Sequence, residues 1–157
     1  MTTRQLTRRV LSNTNRFIIG DYNGEKWYCP DGKIATIDNI YEQYVPKKSQ
    51  VDNFKQFEHV NNQPKMNGIF EQPDVTYSDV ISTSELENDF NMPLVTRELY
   101  AKDVCTKVNN DYYNFLTALY PNATVRIVTE GKYKLYTYPV RLVQDNKIVA
   151  LIMPLVS

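Results

Sequence analysis

Histidine, cysteine and glycine are scarce in this chain of 157 residues, and it carries no net charge. Each shortage removes a class of function. The single histidine, His59, has no second histidine, no nearby cysteine and no carboxylate at metal-ligand spacing, so a surface role is expected. Cys29 and Cys105 are the only cysteines; they lie far apart and form no CxxC pair. Both are expected reduced, in a cytoplasmic protein. The 5 glycines, each read as a turn residue, leave little material for a phosphate-binding loop. Neither GxSxG nor HExxH occurs. The expectation is a non-enzyme with no catalytic residue, no metal and no cofactor. Lys+Arg and Asp+Glu both number 18, so no global field draws nucleic acid and any basic surface must be local. The acids Glu85, Glu87 and Asp89 cluster, and are read as a solvated face. No charged-then-apolar leader opens the chain, so no signal peptide is expected. No apolar run approaches the roughly 18 residues of a membrane helix, so no membrane partner is expected either.

What is present suits one soluble α+β domain. Hydrophobic residues make up 42% and charged residues 23%, enough apolar material for a core. The 12 Tyr, 6 Phe and 1 Trp favour strands. Residues 4–12 read as a short helix, with Leu6, Val10 and Leu11 on one side and Arg4, Gln5, Arg8, Arg9 and Ser12 on the other. A strand starts at Phe17. Asn23-Gly24 turns it back along Lys26–Cys29, because Asn-Gly accepts positive φ. Pro30-Asp31-Gly32 makes a second turn into residues 33–37. Residues 38–75 are polar, broken by Pro46, Pro64 and Pro73, and read as an irregular connector with short strand-like pieces such as Met66–Phe70.

Leu94–Tyr100 reads as strand. Asn109 or Asn110 caps a helix running to residue 119, with Tyr112, Phe115, Leu116 and Leu119 inward and Asn110, Asp111, Asn114 and Thr117 outward. Strands at 124–130, 133–143 and 147–155 follow, the last two joined by a tight Asp145-Asn146 turn. The whole chain, 1–157, is expected to form one domain of two similar halves, each a short helix followed by antiparallel strands.

Four stretches resemble, in order, one domain of a bacterial DNA polymerase sliding clamp. Tyr28-Cys-Pro-Asp-Gly-Lys-Ile-Ala35 is similar to a clamp turn built on Asp-Gly. Gln72–Ile81 is similar to the connector between the halves of a clamp domain. Asn109–Leu119 followed by Pro139–Leu142 resembles the final clamp helix and its Pro-Val strand. Ala150-Leu-Ile-Met-Pro-Leu155 resembles the terminal Met-Pro strand. The resemblance implies a clamp-like α+β domain in a phage or prophage replication module. It implies sequence-independent binding of double-stranded DNA, replication proteins as partners, and assembly as a homo-oligomer. Arg4, Arg8 and Arg9 would face phosphates, with Lys102 and Lys107 in support. Pro30, Asp31, Gly32, Lys33 and Ile34, with Met153, Pro154 and Leu155, would hold partner peptides. The family's arginines at that pocket are replaced by Ile34 and Val156. Gln63–Phe70 is similar to the peptide that partners insert into eukaryotic clamps, though a simple strand is the expected reading. An adaptor or inhibitor that keeps the clamp-like fold without encircling DNA is the alternative function.

Overall fold

The computed structural model describes residues 2–56, 64–87 and 95–155. Among them are ten strands and four α-helices, and the strand ladders are antiparallel. The chain divides into two compact units, Met1–Glu71 and Gln72–Ser157.

In the first unit, helix α1 spans Thr3–Leu11. Thr2 caps it, accepting from Gln5 N at 3.2 Å while the Gln5 side chain accepts from Thr2 N at 2.8 Å. This reciprocal pair satisfies amides that a helix start otherwise leaves open. Leu6, Val10 and Leu11 are buried, as their spacing predicts. Strands β1 (Phe17–Tyr22), β2 (Glu25–Pro30) and β3 (Ile34–Thr36) form a meander. Asn23 and Gly24 turn the first hairpin with φ of 51° and 78°. Asp31 and Gly32 turn into β3 with φ of 55° and 68°. Phe17, Tyr41, Tyr44 and Phe54 form an aromatic cluster, with the Phe17 ring 5.0 Å from Phe54 and 5.4 Å from Tyr41. Phe54 lies on α2 (Val51–Gln56), which follows a single 3-10 turn at Lys48–Gln50.

Met66–Phe70 is not a strand. Asn67–Phe70 is one helical turn, α3, closed by the Phe70 amide on Met66 O at 3.2 Å. The reason lies on β1. Asp21 N donates to Pro64 O and Met66 N to Asp21 O, each at 2.8 Å, which clips the segment to the β1 edge. Met66 then fills the notch left by Gly20, and Phe70 stacks on Tyr22 with ring centroids 4.2 Å apart. Gly20 is therefore a strand residue and Gly68 a helical one, not turn residues. Their places were hidden because Gly20 is set by a distant methionine.

The second unit contains β4 (Thr76–Asp79), β5 (Ser82–Glu87), β6 (Val95–Ala101), β7 (Val104–Asn109), α4 (Asn110–Leu119), β8 (Thr124–Glu130), β9 (Val140–Gln144) and β10 (Lys147–Ile152). The strand order is β10-β9-β8-β4 in one set and β5-β6-β7 in the other. Asn109 caps α4 through Tyr112 N at 3.2 Å. Phe115 and Leu116 are wholly buried, along with Leu99, Val108, Leu142 and Ile152. Tyr112 and Leu119 are only half-buried.

Two strand expectations shorten. The chain over 133–139 is no strand; it makes a 3-10 turn at Leu135–Thr137, and β9 starts at Val140. Tyr138 causes this. Its hydroxyl accepts from Tyr133 N at 2.9 Å, so that amide is unavailable to a ladder. The final strand stops at Ile152, because Pro154 has no amide to donate. The tail is nonetheless held. Leu155 N donates to Lys107 O on β7 at 2.8 Å.

Candidate nucleic-acid interface

α1 is amphipathic, and its polar side carries Arg4, Arg8 and Arg9, all exposed. No acid stands in its first turn. Arg8 and Arg9 lie in its last turn, where cations also suit the helix dipole. Two anchors fix this helix. Its apolar side is the first. The second is Gln50, 5% exposed, whose Nε2 donates to Leu11 O and Thr14 O at 2.8 Å each and to Ser12 O at 3.4 Å. Gln50 Oε1 accepts from Lys47 N at 3.0 Å and from the Tyr44 hydroxyl. This glutamine seals the open carbonyl end of α1 from 36 or more residues away in sequence. A polar connector gave no signal of it.

Asp31 also has a structural task. Its carboxylate accepts from Arg16 N at 2.8 Å and Asn15 N at 3.1 Å, bracketing the chain as it leaves α1 for β1. Gly32 and Lys33 are exposed, Pro30 is buried, and Ile34 is 2% exposed. Ile34 is thus a buried core residue. All three residues of β3 are buried. In the second unit Met153 is 36% exposed, while Pro154 and Leu155 are half-buried.

Lys102 sits at the tip of the β6–β7 hairpin with φ of 51°, a conformation in which a lysine is uncommon. Lys107 is exposed on β7, opposite Glu98 in the ladder. Glu98 accepts from Cys105 Sγ at 3.1 Å and from the Tyr100 hydroxyl at 2.9 Å. Those bonds, Cys105 first, hold its carboxyl below the usual range, with Lys107 adding a little. Lys107 therefore faces a carboxylate across the ladder, which tempers its offer to phosphate.

No protein family, curated protein or solved structure matches this chain.

α4 differs from its expected outward face. Asn110 is 5% exposed because Arg97 Nε donates to its Oδ1 at 2.7 Å. Arg97 also reaches Thr83 at 2.8 Å and Glu85 at 3.4 Å, and its guanidinium lies 4.7 Å from the Tyr113 ring centre. Asp111, Asn114 and Thr117 are half-buried. The nearest cation is thus spent within the unit, and α4 presents no basic residue of its own. Glu85 of the acidic cluster is half of that ion pair. Asp89, Val156 and His59 lie outside the described residues, as do Leu94 and Gln63.

Gln63–Phe70 is similar to an inserted peptide in sequence, but Met66 and Phe70, 6% and 5% exposed, serve their own unit's core. Among the described residues no group of three or more His, Cys, Asp and Glu could hold a metal. No helix among them is long and apolar enough to cross a membrane.

Proposed function

We propose that this chain is a non-enzymatic, clamp-like protein of DNA replication that grips duplex DNA through its phosphates, without sequence preference. The observation that carries this reading is α1: Arg4, Arg8 and Arg9 stand exposed on a helix anchored from behind by Leu6, Val10, Leu11 and Gln50. Arginines on a fixed helix meet phosphate oxygens without reading bases, which is the contact sliding requires. A second observation supports the clamp-like part. α1 leads into the meander β1–β3, and α4 leads into the antiparallel strands β8–β10. Encirclement by so short a chain requires several copies joined head to tail.

Anisotropy titration of a labelled duplex at rising salt tests the reading, together with light scattering of the free protein. Salt-sensitive binding to unrelated duplexes supports it. A strict monomer that ignores DNA at low salt contradicts it. The alternative, an adaptor or inhibitor of replication proteins that does not encircle DNA, is favoured by the absence of basic residues on α4 and by the exposed Met153. In that case DNA binding is absent, and Met153→Asp abolishes capture of a replication protein.

A further inference from the structure

The loop between β8 and β9 carries a pattern that α1 and the tail do not use. Its sequence is Gly131-Lys-Tyr-Lys-Leu-Tyr-Thr-Tyr138, with lysines and aromatics interleaved. Tyr133 is 63% exposed, a large ring left in water. Lys132 and Lys134 flank it, and both are exposed. Lys132 Nζ lies 5.7 Å from the centre of the Tyr133 ring, and Lys134 Nζ lies 5.8 Å from that of half-buried Tyr136.

The display is built, not loose. Tyr138 is 4% exposed and anchors the loop from beneath. Its hydroxyl accepts from Tyr133 N at 2.9 Å. Its ring lies so close under Gly131 that a Cβ there would come within 2.7 Å of it. The 3-10 turn is closed by Thr137 N on Lys134 O at 3.0 Å, and the Thr137 hydroxyl adds a bond to the same carbonyl at 2.6 Å. That turn packs against β8 and against β7, the strand that carries Lys107. The backbone thus holds Tyr133 outward, with Lys132 over its ring and Lys134 next in the chain. A ring held in water beside cations offers a face to a ligand that is flat and negatively charged.

We propose that this loop binds single-stranded nucleic acid, with a base stacked on Tyr133 and the neighbouring phosphates held by Lys132 and Lys134. Every base has a π-face, so the contact is indifferent to sequence. A duplex keeps its bases stacked on each other and offers the ring none. The acid beside the loop is Glu130, exposed at the end of β8, and the lysines outnumber it. The site lies in the second unit and needs none of the α1 arginines, so it stands or falls separately from the duplex reading.

The test uses the full chain and a labelled oligodeoxythymidylate of about 16 nucleotides at low salt. Expected is saturable binding that Tyr133→Ala weakens by about fivefold or more while Tyr133→Phe keeps it, since a phenyl ring still stacks. Lys132→Ala with Lys134→Ala should flatten the salt slope by about 1.4. Tyr133→Trp supplies a reporter whose emission the oligonucleotide quenches; the native Trp27 is 1% exposed and should stay silent in the parent. Because Tyr133 is exposed, these variants should unfold at the parent's temperature. Equal affinity of Tyr133→Ala and the parent overturns the proposal. So does a Tyr133→Phe variant as weak as Tyr133→Ala, or polyglutamate that competes as well as the oligonucleotide, since either result leaves stacking out.

Discussion

Gln50 ties residues 47–50 to the carbonyl end of α1, and removing its amide would strand buried acceptors. Gln50→Ala should therefore cost about 2 kcal/mol, read as a lowered urea midpoint. A midpoint equal to the parent's would show that water replaces the amide. Lys102 poses the opposite case. Its positive φ suits glycine, so Lys102→Gly should stabilise the fold by about 1 kcal/mol. If the lysine reaches phosphate, the same change weakens duplex binding while raising the melting temperature; unchanged binding removes Lys102 from the interface. The thiols make a third residue-scale prediction. Burial pushes Cys29 up to about 12, against a weaker opposing hydrogen bond at Gly20. Cys105 is raised too, by partial burial and then by its bond to Glu98. Neither is a thiolate at neutral pH. A disulfide reagent should label Cys105 slowly, faster as pH rises, and reach Cys29 only on unfolding. Fast labelling of both in the native protein would contradict this.

At the scale of elements, the segment 64–70 shows what a sequence exposes and what it hides. α1 was legible because helical periodicity is local: Leu6, Val10 and Leu11 recur on one side. Its Thr2 cap went unread. The tight turns at Asn23-Gly24 and Asp145-Asn146 were legible because their residues accept positive φ. The Met66–Phe70 turn was not, because the partners that decide it, Gly20, Asp21 and Tyr22, sit more than forty positions earlier. Residues 133–139 failed for a related reason: a buried tyrosine took the amide that a strand would have used. The candidate site divides in the same way. Arg4, Arg8 and Arg9 follow from helical spacing, whereas the burial of Asn110 and the bracket made by Asp31 rest on distant partners. The Gly20 notch gives an element-scale test. A Cβ there would stand 2.7 Å from Met66 Cγ, so Gly20→Ala should destabilise the first unit. Met66→Ala alone should cost about 2–5 kcal/mol. Combined, the two should cost less than their sum, because the clash is gone once the thioether is. Strict additivity would place Met66 elsewhere.

At the scale of the whole molecule, balanced charge leaves binding to local patches. The proposed duplex contact rests on one helix of the first unit, and α4 adds no cation. A ring would have to multiply α1 by copies of the chain, so light scattering should return a multiple of the chain mass. The tail belongs to this scale as well. The Leu155 amide bond to β7 means that deleting residues 153–157 should lower stability, partner binding, or both; a truncated chain with the parent's melting temperature and assembly would contradict that. The most direct test of the central claim is the salt dependence of affinity for a duplex of arbitrary sequence, measured for the parent and for the Arg4→Ala, Arg8→Ala, Arg9→Ala variant. The account predicts a linear fall of log affinity with log salt, equal for unrelated duplexes, and a slope shallower by about three in the variant, with its fold intact. No binding at about 50 mM salt, or the same slope in both proteins, would contradict it.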